Sequence, residues 1–203
     1  MDAYEQISPK RFKRVLIGVV FGFFLAIGLG IVLFMIFVEN SQFYFNLLIY
    51  NAQEYVGINA PLAYILGSGL YSMNAASPFF MDIFGAIDPA VELAIREAVI
   101  PAVLTWFITG FVMGFFCKRW DDGLFSALIC GIVTFVIIQV MARIAILGDQ
   151  TLGVVDLAYF LVVFMLLVNS SVAVFICMAG GILGGLLYSK VLFRTQSMIE
   201  EYM

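Results

Sequence analysis

The chain has 203 residues, 64% of them hydrophobic and 12% charged, and a net charge of −4. Soluble domains are nearer half apolar and a quarter charged, so this balance points to a lipid solvent; without a basic excess, a nucleic-acid partner is not expected. There is no histidine, and the three cysteines, Cys117, Cys130 and Cys177, form no CxxC pair, which removes the commonest general base and the commonest zinc, copper and haem ligand.

The first apolar run is Val15 to Val38, 24 residues without a charge, preceded by Lys10, Arg11, Lys13 and Arg14. A signal-peptide core is about 7–15 residues and ends at a small-residue cleavage site. This run is long enough to cross roughly 30 Å of hydrocarbon, and Glu39-Asn40-Ser41 offers no such site. It reads as a retained first span over residues 15–38, behind a cytoplasmic tail of residues 1–14.

Residues 39–97 form an outer segment with no Lys or Arg before Arg96. It is nevertheless rich in aromatic residues, with Asn46, Asn51, Gln53 and Glu54 among them between Phe43 and Tyr55. Pro61 can open a short helix, and Ser77-Pro78 and Asp88-Pro89 each read as an N-cap followed by proline at the first helical position. The expectation is two or three short interfacial helices, or a re-entrant pair around Gly67-Ser68-Gly69 covered by protein or water. The helix opened by Pro89 should run on into the second span, over residues 98–117. Glu92 and Arg96 can pair four apart on it, and Pro101 should kink it.

Lys118-Arg119-Trp120-Asp121-Asp122-Gly123 is a short turn that makes the second and third spans antiparallel neighbours. Asp121 or Asp122 can cap the third span, residues 124–147, and Trp120 suits the headgroup layer. These roles account for the whole motif. The last apolar stretch, residues 157–193, is too long for one span and contains Asn169-Ser170-Ser171. It reads as an outer half-helix up to Val168, a break, and a fourth span from about Val172 to Phe193, before a cytoplasmic tail over residues 194–203.

With both termini inside, eight of the ten Lys and Arg residues are cytoplasmic, and Arg96 and Arg143 are the exceptions. The positive-inside rule therefore fixes the orientation. The fold class is an all-α integral membrane protein: a bundle of about four transmembrane helices with short interfacial or re-entrant helices outside. The multi-pass topology suits a cell membrane.

Small residues recur four apart in every span: Gly18 and Gly22, Gly110 and Gly114, Ala127 and Gly131, Gly180 with Gly184, and Gly181 with Gly185. Such stripes let helix backbones approach closely. Internal packing is their simpler use. The doubled stripe at Gly180, Gly181, Gly184 and Gly185 could serve two neighbours and is the best candidate for contact with a second copy or another membrane subunit.

Gln139 and Arg143 share a face of the third span, and Asp156 and Asn169 lie on the next stretch. Ionisable groups within a membrane are functional candidates by default, and these four make a candidate polar pathway. Anchoring of Arg143 at the interface is the plainer account. No GxSxG, HExxH, Walker or dinucleotide motif occurs, so neither enzymatic activity nor a cofactor is expected. The two functional readings are a non-enzymatic structural or accessory subunit of a membrane complex, and a small transporter or channel component that binds a solute on the outer side.

Overall fold

The computed structural model describes residues 9–39, 41, 42, 46, 89–148 and 155–192. For residues 9, 10, 89–96, 98, 138–148, 155–163, 165, 166, 169, 191 and 192 only the backbone is described. The described residues form four long helices and contain no strand. These are α1 (Pro9–Phe37), α2 (Pro89–Cys117), α3 (Trp120–Gly148) and α4 (Val155–Leu187), with a π-helical turn at Tyr188–Leu192 directly after α4. Each contains a stretch long and apolar enough to cross a membrane: Arg11–Phe37, Val99–Cys117, Trp120–Ile137 and Ser170–Lys190.

The helix boundaries follow local chemistry. Proline opens α1 and α2, where its missing N–H would have had no intrahelical partner in any case. Pro101 lies inside α2 without ending it. Lys118 closes α2 in a left-handed conformation, φ 64°, and its N–H donates to the carbonyls of Gly114 and Phe115 at 3.2 and 3.3 Å. This is the αL type of helix end, which turns the chain sharply into α3.

Helix α1 begins at Pro9, ahead of the apolar run expected to span the membrane, because the basic residues before that run are themselves good helix formers. Two features differ from the sequence reading. Helix α3 begins at Trp120, so Asp121 and Asp122 occupy its first turn instead of preceding it; the Gly123 N–H already donates to the Arg119 carbonyl at 3.0 Å. The expected break at Asn169-Ser170-Ser171 is absent, and α4 continues through all three residues. Ser171 Oγ donates to the Leu167 carbonyl at 2.8 Å, so its polar group is satisfied within the helix. The interfacial or re-entrant elements expected between residues 39 and 88 lie outside the described residues, apart from residues 39, 41, 42 and 46.

The chain divides into two compact units. The first takes its described parts from Met1–Leu25, Trp106–Gly131 and Val174–Met203. Trp106, Met113, Cys117, Ala127, Cys130 and Cys177 are fully or almost fully buried in it. The second takes its parts from Ala26–Thr105 and Ile132–Ala173; Ala26, Phe34, Val38, Ala102 and Ala173 are buried there, with Thr105, Thr134 and Ser170. In the second unit the backbone N–H of Glu39, just after α1, donates to Glu97 Oε2 on α2 at 2.9 Å.

Both units leave large apolar side chains exposed, including Phe24, Ile36, Phe116, Phe175 and Leu183. In water such a surface would drive aggregation, whereas a lipid solvent accepts it.

The first testable outcome concerns glycine. A side chain at Gly28 would meet no atom within 4 Å, so Gly28→Ala should be neutral or stabilise α1 by up to about 1 kcal/mol. A Cβ at Gly184 would fall on the Phe111 carbonyl and lie 2.9 Å from Phe115 N. Backbone cannot swing aside as a side chain can, so Gly184→Leu should cost about 3 kcal/mol. Thermal unfolding of the two variants in one detergent checks the contrast.

Candidate functional site

The first unit holds both the glycine contacts and most of the described charged side chains. Helix α4 uses its doubled stripe on two sides. Gly180 and Gly184 face α2, against Phe107, Phe111 and Phe115. Gly181 and Gly185 face the start of α3: a Cβ at Gly181 would lie 2.7 Å from the Gly123 carbonyl oxygen, and one at Gly185 would lie 2.6 Å from Arg119 O and Trp120 Cα. On α2, Gly110 meets the Cys177 backbone and Gly114 meets Gly181 and Gly185. Helices α2, α3 and α4 therefore touch main chain to main chain, which only residues without side chains allow.

Helix α1 packs by a looser rule. Gly18 faces the side chains of Ser126 and Cys117, and Gly22 faces Met113. Phe21 and Phe116 meet edge to face with centroids 5.2 Å apart, a favoured aromatic arrangement. Ser126 Oγ lies 3.2 Å from Cys117 Sγ and donates to the Val15 carbonyl at 3.3 Å. Each contact of α1 here involves a side chain rather than two backbones, so α1 is joined to the others less tightly than they are to one another.

A charge cluster ties the start of α1 to the start of α3. Arg11 Nε donates to Asp122 Oδ1 at 2.5 Å, and Arg11 Nη2 donates to Asp121 Oδ2 at 2.7 Å. Arg119 donates from Nε and Nη2 to Asp121 Oδ1 and Oδ2, both at 3.1 Å. Asp122 is fully buried, whereas the Arg11 side chain keeps 29% exposure. The guanidinium thus reaches from the surface to neutralise a carboxylate that could not stay charged alone. Both carboxylates also sit in the first turn of α3, where the helix dipole favours negative charge. The Oδ2 atom of Asp122 is buried without a hydrogen-bond partner, as are the Thr105 and Thr109 hydroxyls.

Sequence reasoning had given Asp121 and Asp122 a local capping role and missed Arg11 as their partner. The available signal was a basic cluster before the first apolar run and an acidic pair before the third. Nothing in the spacing selects Arg11 over Lys10, Lys13 or Arg14.

A second arrangement surrounds Tyr188, the first residue of the π-helical turn. Its ring stands edge-on to Phe115, with centroids 5.4 Å apart. The Lys118 ammonium lies 5.3 Å from the ring centroid, within cation–π range.

The candidate pathway residues Gln139 and Arg143 lie on the backbone of α3, and Asp156 and Asn169 on that of α4. Their side chains lie outside the described residues. Among the described residues no group of three acidic, histidine or cysteine side chains could hold a metal ion, and all three cysteines are buried free thiols.

Removing the guanidinium leaves Asp122 buried and unpaired. Arg11→Ala should therefore lower stability by about 3 kcal/mol, while Arg11→Met combined with Asp122→Leu should recover most of the loss. A double-mutant cycle by thermal unfolding reads the coupling directly, and strict additivity of the single losses would remove the pair from any structural role.

No protein-family model, curated protein or solved structure matches the chain, so its role has to be read from its own residues.

Proposed function

We propose that this chain is a non-enzymatic structural or accessory subunit of a membrane complex, held in a cell membrane with both termini in the cytoplasm. The observation that carries this reading is the direct backbone contact of α2, α3 and α4 at Gly110, Gly114, Gly123, Gly180, Gly181, Gly184 and Gly185. Helices in main-chain contact leave no space for a solute along those contacts, and such packing suits a rigid scaffold. The continuous course of α4 through Asn169 also removes the broken helix that motivated a transport reading, since interrupted helices are the usual builders of midplane sites.

The distribution of charge supports the orientation. Arg11, Lys13, Arg14, Lys118, Arg119 and Lys190 all belong to the first compact unit, as the positive-inside rule requires of a cytoplasmic end. The doubled stripe of α4 is filled by α2 and α3. Contact with a partner subunit or a second copy therefore falls to other surfaces, and the exposed row Ile17, Phe21 and Phe24 on α1 is one of them.

Native mass spectrometry after gentle extraction tests the role. A stoichiometric protein partner is the expected result. A lone chain carrying a small solute would replace this reading with the transporter or channel component.

Orientation has its own test. Cys117 is buried and would resist a thiol reagent from either side. Trp120 is 51% exposed, so Trp120→Cys in a chain lacking the three native cysteines is a better reporter. It should resist an impermeant maleimide on intact cells and react after lysis; labelling of intact cells would reverse the topology.

A further inference from the structure

Three features that the scaffold role does not need meet around Tyr188. The first is Lys118, a lysine in the left-handed conformation at the end of α2. Glycine closes such helix ends without strain, and any other residue costs roughly 1–2 kcal/mol there. What a lysine adds at this position is its side chain, and the ammonium is held over the Tyr188 ring.

The second is the π-helical turn itself. It follows α4 directly and changes the direction in which its side chains project relative to the helix. It opens with Tyr188, whose ring is braced by Phe115, and carries the exposed Lys190. The third is how the described charges of this unit pair. Arg11 and Arg119 are committed to Asp121 and Asp122. Neither Lys118 nor Lys190 pairs with a carboxylate of any described residue.

We propose that Lys118, Tyr188 and Lys190 form a binding site for the phosphate headgroup of an anionic phospholipid. A cation–π contact fixes an ammonium in place without supplying a hydrogen-bond acceptor, so the donors of Lys118 stay available for phosphate oxygens. The tyrosine ring is of the amphipathic kind that settles at headgroup level. Leu183 and Leu187, one turn apart on α4 and exposed by 48% and 43%, give the acyl chains an apolar surface beside the headgroup. Clustered basic groups at a cytoplasmic membrane surface attract anionic lipid, and here one of them is fixed by the fold. The proposal rests on the membrane reading above.

The test uses the full chain in neutral detergent, with phosphatidylglycerol or phosphatidylcholine added to the micelles. Phosphatidylglycerol should raise Tm by about 5 °C at saturation. Phosphatidylcholine, or inorganic phosphate at the same concentration, should give no rise. Lys118→Gln combined with Lys190→Gln should lose at least half of the shift, while Lys13→Gln should keep it.

A full shift in the double variant, an equal loss in Lys13→Gln, or an equal rise with inorganic phosphate would each overturn the site. Alkali washing of source membranes reads the membrane assignment separately. A chain that stays in washed membranes but gives no lipid-dependent shift overturns the lipid site alone, and a chain released by the wash overturns both.

Discussion

Main-chain contact between helices is the constraint on which the first unit depends. In lipid the hydrophobic effect does not draw one apolar helix to another, so association depends on packing and on the few polar bonds between helices. Helix α4 satisfies that condition on two sides at once, because adjacent glycines repeat four residues later and so face two neighbours about 100° apart around the helix. Gly180 and Gly184 meet α2 while Gly181 and Gly185 meet the start of α3. The short turn between α2 and α3 brings those two surfaces together, and the left-handed Lys118 makes that turn sharp.

The charged groups around this turn do a different kind of work. Asp122 is fully buried, which would be prohibitive for a lone carboxylate, and Arg11 from the start of α1 makes it tolerable. The pair is weak evidence for stability in itself, since two apolar residues could fill the same space at less cost. Its value lies in register. Helix α1 has an apolar surface almost all round, so hydrophobicity alone leaves its height against α3 undefined, whereas an arginine that must reach Asp121 and Asp122 together sets it. The Ser126 hydroxyl on the Val15 carbonyl fixes the same height one turn further along.

The proposed roles divide along these lines. A scaffold needs closed, rigid contacts, which the glycines supply. A subunit held in a particular membrane also needs contact with its lipids, which Lys118 and Lys190 supply in the proposed site. Arg11 and Arg119 belong to the first role because they are bound to internal carboxylates, whereas Lys118 and Lys190 make no ion pair among the described residues.

What the sequence determined by itself was everything governed by local composition. The runs without charge gave four helices long and apolar enough to cross a membrane, Pro89 marked the start of α2, and the spacing of small residues identified where backbones could approach. The tertiary structure decided the pairings. It assigned α2 and α3 as the two neighbours of the α4 stripe, chose Arg11 from four adjacent basic residues, and set Lys118 over Tyr188. It also carried α4 through Asn169-Ser170-Ser171, where polar composition had suggested a break. The physical reason is range: a helix is settled by bonds four residues apart, and Ser171 could satisfy its hydroxyl at that distance, whereas Arg11 and Asp122 stand 111 residues apart. Their meeting depends on how helices cross, which one-dimensional spacing does not encode.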